Sequence, residues 1–178
     1  MRGRYDLSAA DFDFIAAHDL VHTSCNSDLD ACLARIAAAA RRVSYDYSEK
    51  WTNERLAATL AHVDIAFLSA PRLAEEDCEA LARRCAARGP STVVVTRGNA
   101  GTVGLADGRI RYQAALPTQV VDTLGAGDGF IAGFLVAHLN GANLATALVG
   151  GAAMAARVCT WPGAFGHARP WSAPSHEN

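Results

Sequence analysis

The chain has 178 residues, 51% of them apolar and 19% charged, with a formal net charge of −2. That length and apolar content suffice for one domain with its own core and exclude a disordered chain. The slightly acidic balance provides no basic face, which excludes the electrostatic footprint of a nucleic-acid binder.

In chain order, residues 1–7 look loose, and Ser8 is placed to cap a helix over residues 8–17 with Phe12, Ile15 and Ala16 at helical spacing. A short strand over 19–23 follows, then a helix to residue 40 with Ser27 as its expected cap and Leu29, Leu33 and Ile36 on one face. Arg41 and Arg42 sit at its carboxyl end, where the helix dipole favours positive charge. A strand over 43–47, a short helix over 53–60 and a buried strand over 63–68 come next, the last ending in Ser69-Ala70-Pro71. The helix over 73–88 starts with Glu75, Glu76 and Asp77, ends with Arg83, Arg84 and Arg88, and carries Cys78, Leu81, Ala82 and Cys85 as its inward stripe. Gly89 and Pro90 stop it.

The run TVVVT, residues 92–96, reads as a central parallel strand. It enters Arg97-Gly98-Asn99-Ala100-Gly101, and strands over 102–105 and 110–113 flank an Asp107-Gly108 turn, a hairpin signal. Val120 and Val121 read as the end of a further strand running into Asp122. A helix over 128–140 carries Phe130, Ile131, Phe134 and Leu135, and Asn143 caps a last helix rich in small residues from Gly150 to Ala156. Residues 161–178 read as a surface tail. Alternating strands and helices imply an α/β fold with a mostly parallel sheet, right-handed crossovers and ligands beyond the carboxyl ends of the strands, so the ends at Thr96 and Asp122 are expected to face one crevice.

The chemistry concentrates in VVDTLGAGDGF, residues 120–130. A strand, a glycine turn and a helix amino terminus in that order make an anion site. The first amides of a helix have no intrahelical partner, the macrodipole adds partial positive charge, and glycine lets the main chain approach a phosphate. Asp128 at that spot would repel a bound phosphate, and it makes sense if it meets a hydroxyl that attacks the phosphate. A dinucleotide fingerprint fits poorly, since the third glycine, Gly129, comes one place early and no acidic residue follows before Glu177. There is no Walker stretch.

DTLGAGD, residues 122–128, resembles the DTxGAGD signature of the ribokinase-like (pfkB-type) carbohydrate kinases, and the resemblance extends over nearly the whole chain as the carboxyl-terminal portion of that family. It implies a ribokinase-like fold, mostly parallel with helices on both faces, and ATP-dependent phosphorylation of a sugar hydroxyl. It implies Asp128 as the general base and the amides of Gly125, Ala126 and Gly127 as the anion hole. By the same resemblance Thr96, Gly98 and Gly101 in TRGNAG contact the nucleotide, against the alternative of a plain strand-to-strand turn, Ala152 in the small-residue helix lines the adenine beside the rival of tight helix packing, and Mg2+ travels with ATP. Asp122 and Thr123 match positions near which the family holds a monovalent cation such as K+, against the alternative of a carboxylate that only caps local amides.

Two departures stand out. Where the family has Asn-x-x-Glu, this chain has Ser69-Ala70-Pro71-Arg72, with Glu75 or Glu76 as possible stand-ins. The family's amino-terminal strands, glycine pair and lid have no counterpart, so the chain is expected to be a truncated form, with residues 1–160 as a partial kinase domain and open sheet edges at the strands starting near Leu20 and Val43. A nucleotide-binding or assembly fragment without turnover is the alternative function. YDYSEKW, residues 45–51, and the Ser-Ala-Pro after the next strand resemble the fructoselysine 6-kinase subgroup, which implies a fructosamine substrate, with simple packing of Tyr45, Tyr47 and Trp51 as the rival reading. Family members usually pair as homodimers through the lid.

Cys25, Cys32, Cys78, Cys85 and Cys159 are scattered, with no C-x-x-C, and read as thiols of a reducing, cytoplasmic compartment. The histidines show no ligand spacing. No signal peptide is apparent, and the apolar tract over 144–156 is too short to span a bilayer, so no membrane partner is expected.

Overall fold

Short β-branched runs separated by helical stretches build a six-stranded sheet with strands in sequential order. In the computed structural model, which describes residues 6–164 and residue 166, the chain divides into two compact units that meet in sequence at Ala115 and Leu116. The first unit holds the sheet: β1 (Val21–Ser24), β2 (Val43–Asp46), β3 (Ile65–Ser69), β4 (Thr92–Thr96), β5 (Thr102–Ala106) and β6 (Arg109–Gln113). Strands β1 to β4 pair in parallel, and β4, β5 and β6 pair antiparallel. The hairpin expected at Asp107-Gly108 is the β5–β6 turn, both residues at positive φ. Strand β2 has a neighbour on each side, so of the two strands expected to leave open edges only β1 does so within this sheet.

Helices α1 (Ala9–Ala16), α2 (Leu33–Ala39), α3 (Asn53–Thr59) and α4 (Glu75–Ala86) precede or connect the parallel strands. Leu33 and Ile36 of α2, Leu56 of α3 and Cys78, Leu81, Ala82 and Cys85 of α4 share one core with Val43, Tyr45, Ala66, Leu68, Val93, Val95, Val103 and Leu105 of the sheet. The period-two alternation of the strands puts these residues on one sheet face and leaves Ile65, Phe67 and Val94 for the other, where they are also buried. The inward cysteine-leucine stripe of α4 is as expected.

Local differences from the sequence reading have local causes. Ser8 caps α1 in a full capping box with Asp11. Ser27 caps nothing: its hydroxyl bonds the Ser24 carbonyl, a 3-10 turn over Asp30–Cys32 comes next, and α2 begins only at Leu33. Thr52, unmarked in the sequence reading, caps α3 through the Arg55 amide.

The second unit is a helix pair, α5 (Ala126–Leu139) and α6 (Leu144–Val158), joined at Gly141, with Asn143 capping α6 through the Thr146 amide at 3.0 Å. The helices pack through their small residues. A Cβ added to Gly133 would lie 2.4 Å from the Gly150 carbonyl oxygen, one on Gly129 would lie 2.7 Å from Val158, and one on Gly151 would meet the Phe130 ring at 2.9 Å. Among the described residues no helix is long and apolar enough to cross a membrane. The tail expected over 161–178 lies outside the described residues at 165 and from 167 onward.

Candidate active site

The expected strand at Val120–Val121 does not exist. Both residues are in irregular backbone and well exposed, at 58% and 61%, and their chain segment runs along the end of α6 instead of entering the sheet. The β-branched pair is too short, and too exposed, to act as a strand. Asp122 therefore does not end a strand, and strand topology gives it no reason to share a crevice with Thr96.

Asp122 instead leads into a helix start. Gly125 takes the left-handed conformation, φ 81°, and serves as the residue before the first turn of α5, which begins two residues earlier than expected. Ala126, Gly127 and Asp128 are then the first three residues of a 14-residue helix. The Ala126 amide bonds the Thr123 carbonyl at 3.1 Å, closing the turn, so this one of the three expected anion-hole donors is taken up. Among the described residues the amides of Gly125, Gly127 and Asp128 have no acceptor. The amides of Gly127 and Asp128 lie where the dipole field is most positive. Asp128 is exposed in the first turn, and among the described residues its carboxylate makes no hydrogen bond or ion pair.

The glycines of this loop differ in what requires them. Gly125 needs its positive φ, and Gly129 needs to be small because Val158 is against it. Gly127 has neither reason: its φ is ordinary, it is exposed, and an added Cβ would meet nothing within 4 Å. Glycine inside a helix costs about 1 kcal/mol relative to alanine, and nothing in the fold offsets that cost here. Open space over free amides is the geometry a phosphate requires.

Asp122 accepts the Leu124 amide at 3.0 Å and the Gly163 amide at 3.0 Å, and these backbone donors, Leu124 first, hold its carboxyl below the usual carboxylate range. Thr123 gives its carbonyl to Ala126. Among the described residues no cluster of three or more His, Cys, Asp or Glu side chains is arranged to hold a metal, so a cation at Asp122 and Thr123 would need backbone oxygens. Gly163 and the Cys159 carbonyl, both in the turn after α6, contact this loop across some 40 residues of sequence, and no local pattern marked them.

In the first unit, Thr96 ends β4 with its hydroxyl donating to the Leu68 carbonyl, and Gly98 starts a 3-10 turn across which the Arg97 amide donates to the Gly101 carbonyl. Gly101 is dictated by the fold, since a Cβ there would lie 2.4 Å from the Gln113 carbonyl oxygen. Gly98 is open, with nothing within 4 Å of an added Cβ. Arg97 is the residue of this loop that sequence reasoning passed over: it pairs with Glu75 at 3.1 Å and donates to the Leu73 carbonyl. Glu75, one candidate for the missing Asn-x-x-Glu carboxylate, is thereby already engaged by a cation. In the second unit Ala152 is buried within α6.

Tyr45 and Tyr47 are both fully buried, so they pack and are out of reach of a substrate. The Tyr45 hydroxyl donates to Asp30, whose second oxygen takes Arg55 Nε at 2.9 Å, and the Tyr47 hydroxyl meets Thr59 at 2.9 Å. Burial, then Asp30, pushes the Tyr45 phenol far up. Arg55 also holds the Lys50 carbonyl, Lys50 Nζ donates to Asn26, and Trp51 donates to the Ser69 carbonyl. The loops after β1 and β2 and the end of β3 are thus fastened together by side chains.

Comparison with known proteins agrees with this architecture. A fructosamine kinase of Bacillus subtilis (strain 168) is 36% identical over 170 residues, covering 96% of this chain and 60% of the relative. A fructoselysine 6-kinase of Escherichia coli (strain K12) is 34% identical over 161 residues, covering 90% and 61%. The chain therefore spans about 60% of the length of these relatives. An Arabidopsis thaliana ribokinase complexed with ribose and ATP superposes with a TM-score of 0.75 at 25% identity, covering 89% of this chain and 55% of that one. A microbiome-derived acarbose kinase gives 0.71 at 28% identity, covering 83% and 51%. The fold is thus the ribokinase-like one. The model of the pfkB family carbohydrate kinases matches residues 4–169, and the chain belongs to that family.

Proposed function

We propose that residues 1–160 form the nucleotide-binding and catalytic part of an ATP-dependent kinase that phosphorylates a sugar or sugar-derivative hydroxyl, with the 6-hydroxyl of a fructosamine such as fructoselysine as acceptor. The observation that carries the reading is Gly127, a glycine in the first turn of α5 that packing and backbone conformation leave unexplained. The names of the two relatives support the acceptor class.

In this reading Asp128 accepts the proton of the attacking hydroxyl. As the proton leaves, the hydroxyl oxygen forms its bond to the γ-phosphorus and the bond to ADP breaks, so charge is conserved and no other reactant is needed. The amides of Gly125, Gly127 and Asp128 receive the charge that develops on the transferred group, in a geometry fixed before reaction. The loop of Thr96, Gly98 and Gly101 contacts nucleotide, Ala152 borders the adenine, and Mg2+ arrives on the phosphates. A monovalent cation is held by Asp122 and Thr123. The carboxylate and the carbonyl-rich end of α6 beside it make that spot electronegative. The kinase acts in the cytoplasm, and the family resemblance implies assembly as a homodimer.

A second reading, nucleotide binding without turnover, is favoured by one observation: Ser69 to Arg72 supply no carboxylate, and Glu75 is tied to Arg97. Calorimetric titration with ATP beside a kinase assay on a sugar panel separates the two. Turnover that Asp128→Asn abolishes while ATP still binds supports the kinase. Binding with no turnover in the unaltered chain supports the second reading, and turnover unchanged in Asp128→Asn removes Asp128 from its role.

A further inference from the structure

We infer that Asp122 is a positioning residue, a clasp that fastens the start of α5 to the turn after α6 and so sets where the free amides of Gly127 and Asp128 point. The inference rests on the phosphate reading above. Its origin is the unfinished hydrogen bonding at the end of α6. The last carbonyls of a helix have no intrahelical donor. Within α6 and its turn, Thr160 and Trp161 serve the carbonyls of Arg157 and Val158. Those of Ala156 and Cys159 are met from the segment before α5: Thr118 Oγ1 donates to Ala156 at 3.3 Å, and the amides of Val121 and Asp122 donate to Cys159 at 2.8 and 3.3 Å.

The seam continues through the Asp122 side chain. One oxygen takes the Leu124 amide, on the way into α5, and the other takes the Gly163 amide, on the way out of α6. Immediately beyond, Gly125 lies so close to Ala164 that an added Cβ would be 3.0 Å away. A carboxylate at the negative end of a helix is otherwise unfavourable, and the two amide donors offset that cost. An alanine at 122 would keep the backbone bonds to Cys159 and lose the bridge. The turn from Thr123 to Ala126 would remain closed on itself but would no longer be aimed.

The test uses the 178-residue chain, a non-hydrolysable ATP analogue with Mg2+, and two salts, potassium chloride and tetramethylammonium chloride. Asp122→Ala should weaken the analogue about tenfold in both salts, and Asp122→Asn, which keeps one acceptor oxygen, by less. In amide exchange measured by NMR, Leu124 and Gly163 should exchange about tenfold faster in Asp122→Ala. Asn143→Ala, which uncaps the other end of α6, should lower Tm and leave analogue affinity unchanged, which a merely structural effect of Asp122 would not reproduce. Affinity within about twofold of the parent in both salts overturns the clasp, as does a loss confined to potassium, which would make the carboxylate a cation ligand only, or unchanged exchange at both amides. A parent chain that binds no analogue rejects the phosphate reading instead, and the exchange measurement still decides the clasp.

Discussion

Gly133 and Gly150 meet backbone to backbone where α5 crosses α6. The contact is uneven: a Cβ on Gly133 would lie 2.4 Å from the Gly150 carbonyl oxygen, whereas one on Gly150 would lie 3.1 Å from the Gly133 carbonyl oxygen and 3.3 Å from Ala137. Gly133→Ala must push the helices apart and should cost about 1–3 kcal/mol. Gly150→Ala needs a shift of a few tenths of an ångström, and the helix propensity gained, about 1 kcal/mol, should leave it near neutral. Urea denaturation of the two variants checks the order, and a larger loss in Gly150→Ala would contradict the packing described.

Gly127 provides the converse test. Because nothing lies within 4 Å of a Cβ there, Gly127→Ala should raise stability by up to about 1 kcal/mol. The same methyl would stand over the free amides, so affinity for an ATP analogue should fall about tenfold or more, the loss of one charge-assisted hydrogen bond. Thermal denaturation and calorimetry on one sample read both effects. A variant that binds as well as the parent would mean that no anion approaches this turn.

Alkaline pH should weaken the first unit. Burial pushes the Cys85 thiol from 9.0 to about 11, and burial also raises Cys25 and Cys78. Below pH 9.0 the Cys85 thiol is neutral in folded and unfolded chains and its contribution is whole. As pH rises toward about 11 the unfolded chain loses the proton first, so stability falls, by up to about 1.4 kcal/mol per pH unit from this group. Denaturation midpoints between about pH 8 and 11 check this, and Cys85→Ala should flatten the slope. An equally steep slope in that variant would assign the effect elsewhere.

The strands and helices of the first unit were legible because their patterns are local: the continuous apolar runs of β3 and β4 mark strands buried on both faces, and the Cys78, Leu81, Ala82, Cys85 stripe of α4 points to one buried face. The Ser27 cap misled because serine bonds its own neighbourhood in turns as readily as it caps, and here Ser24 is its partner. Val120 and Val121 misled because strand propensity says nothing of partners, and their segment is recruited by the carbonyls ending α6. The glycine turn before α5 was legible from spacing alone, with Gly125 left-handed and the helix starting within two residues of the expected position; phosphate binding there is the proposal made above. Gly163, Cys159 and Arg97 were not legible, since each acts through a contact fixed only when distant segments pack. Tyr45 and Tyr47 carry a subgroup resemblance in sequence while their side chains serve the core, which shows that a family pattern can mark packing as readily as recognition.

The most direct test of the central claim is a crystal structure of the chain with a non-hydrolysable ATP analogue and Mg2+. The terminal phosphate should lie within hydrogen-bond reach of the Gly127 and Asp128 amides, roughly 3 Å from each nitrogen, with the Asp128 carboxylate facing the space beyond it. A triphosphate bound elsewhere on the chain, or an Asp128 carboxylate turned away from the phosphate, would contradict the claim.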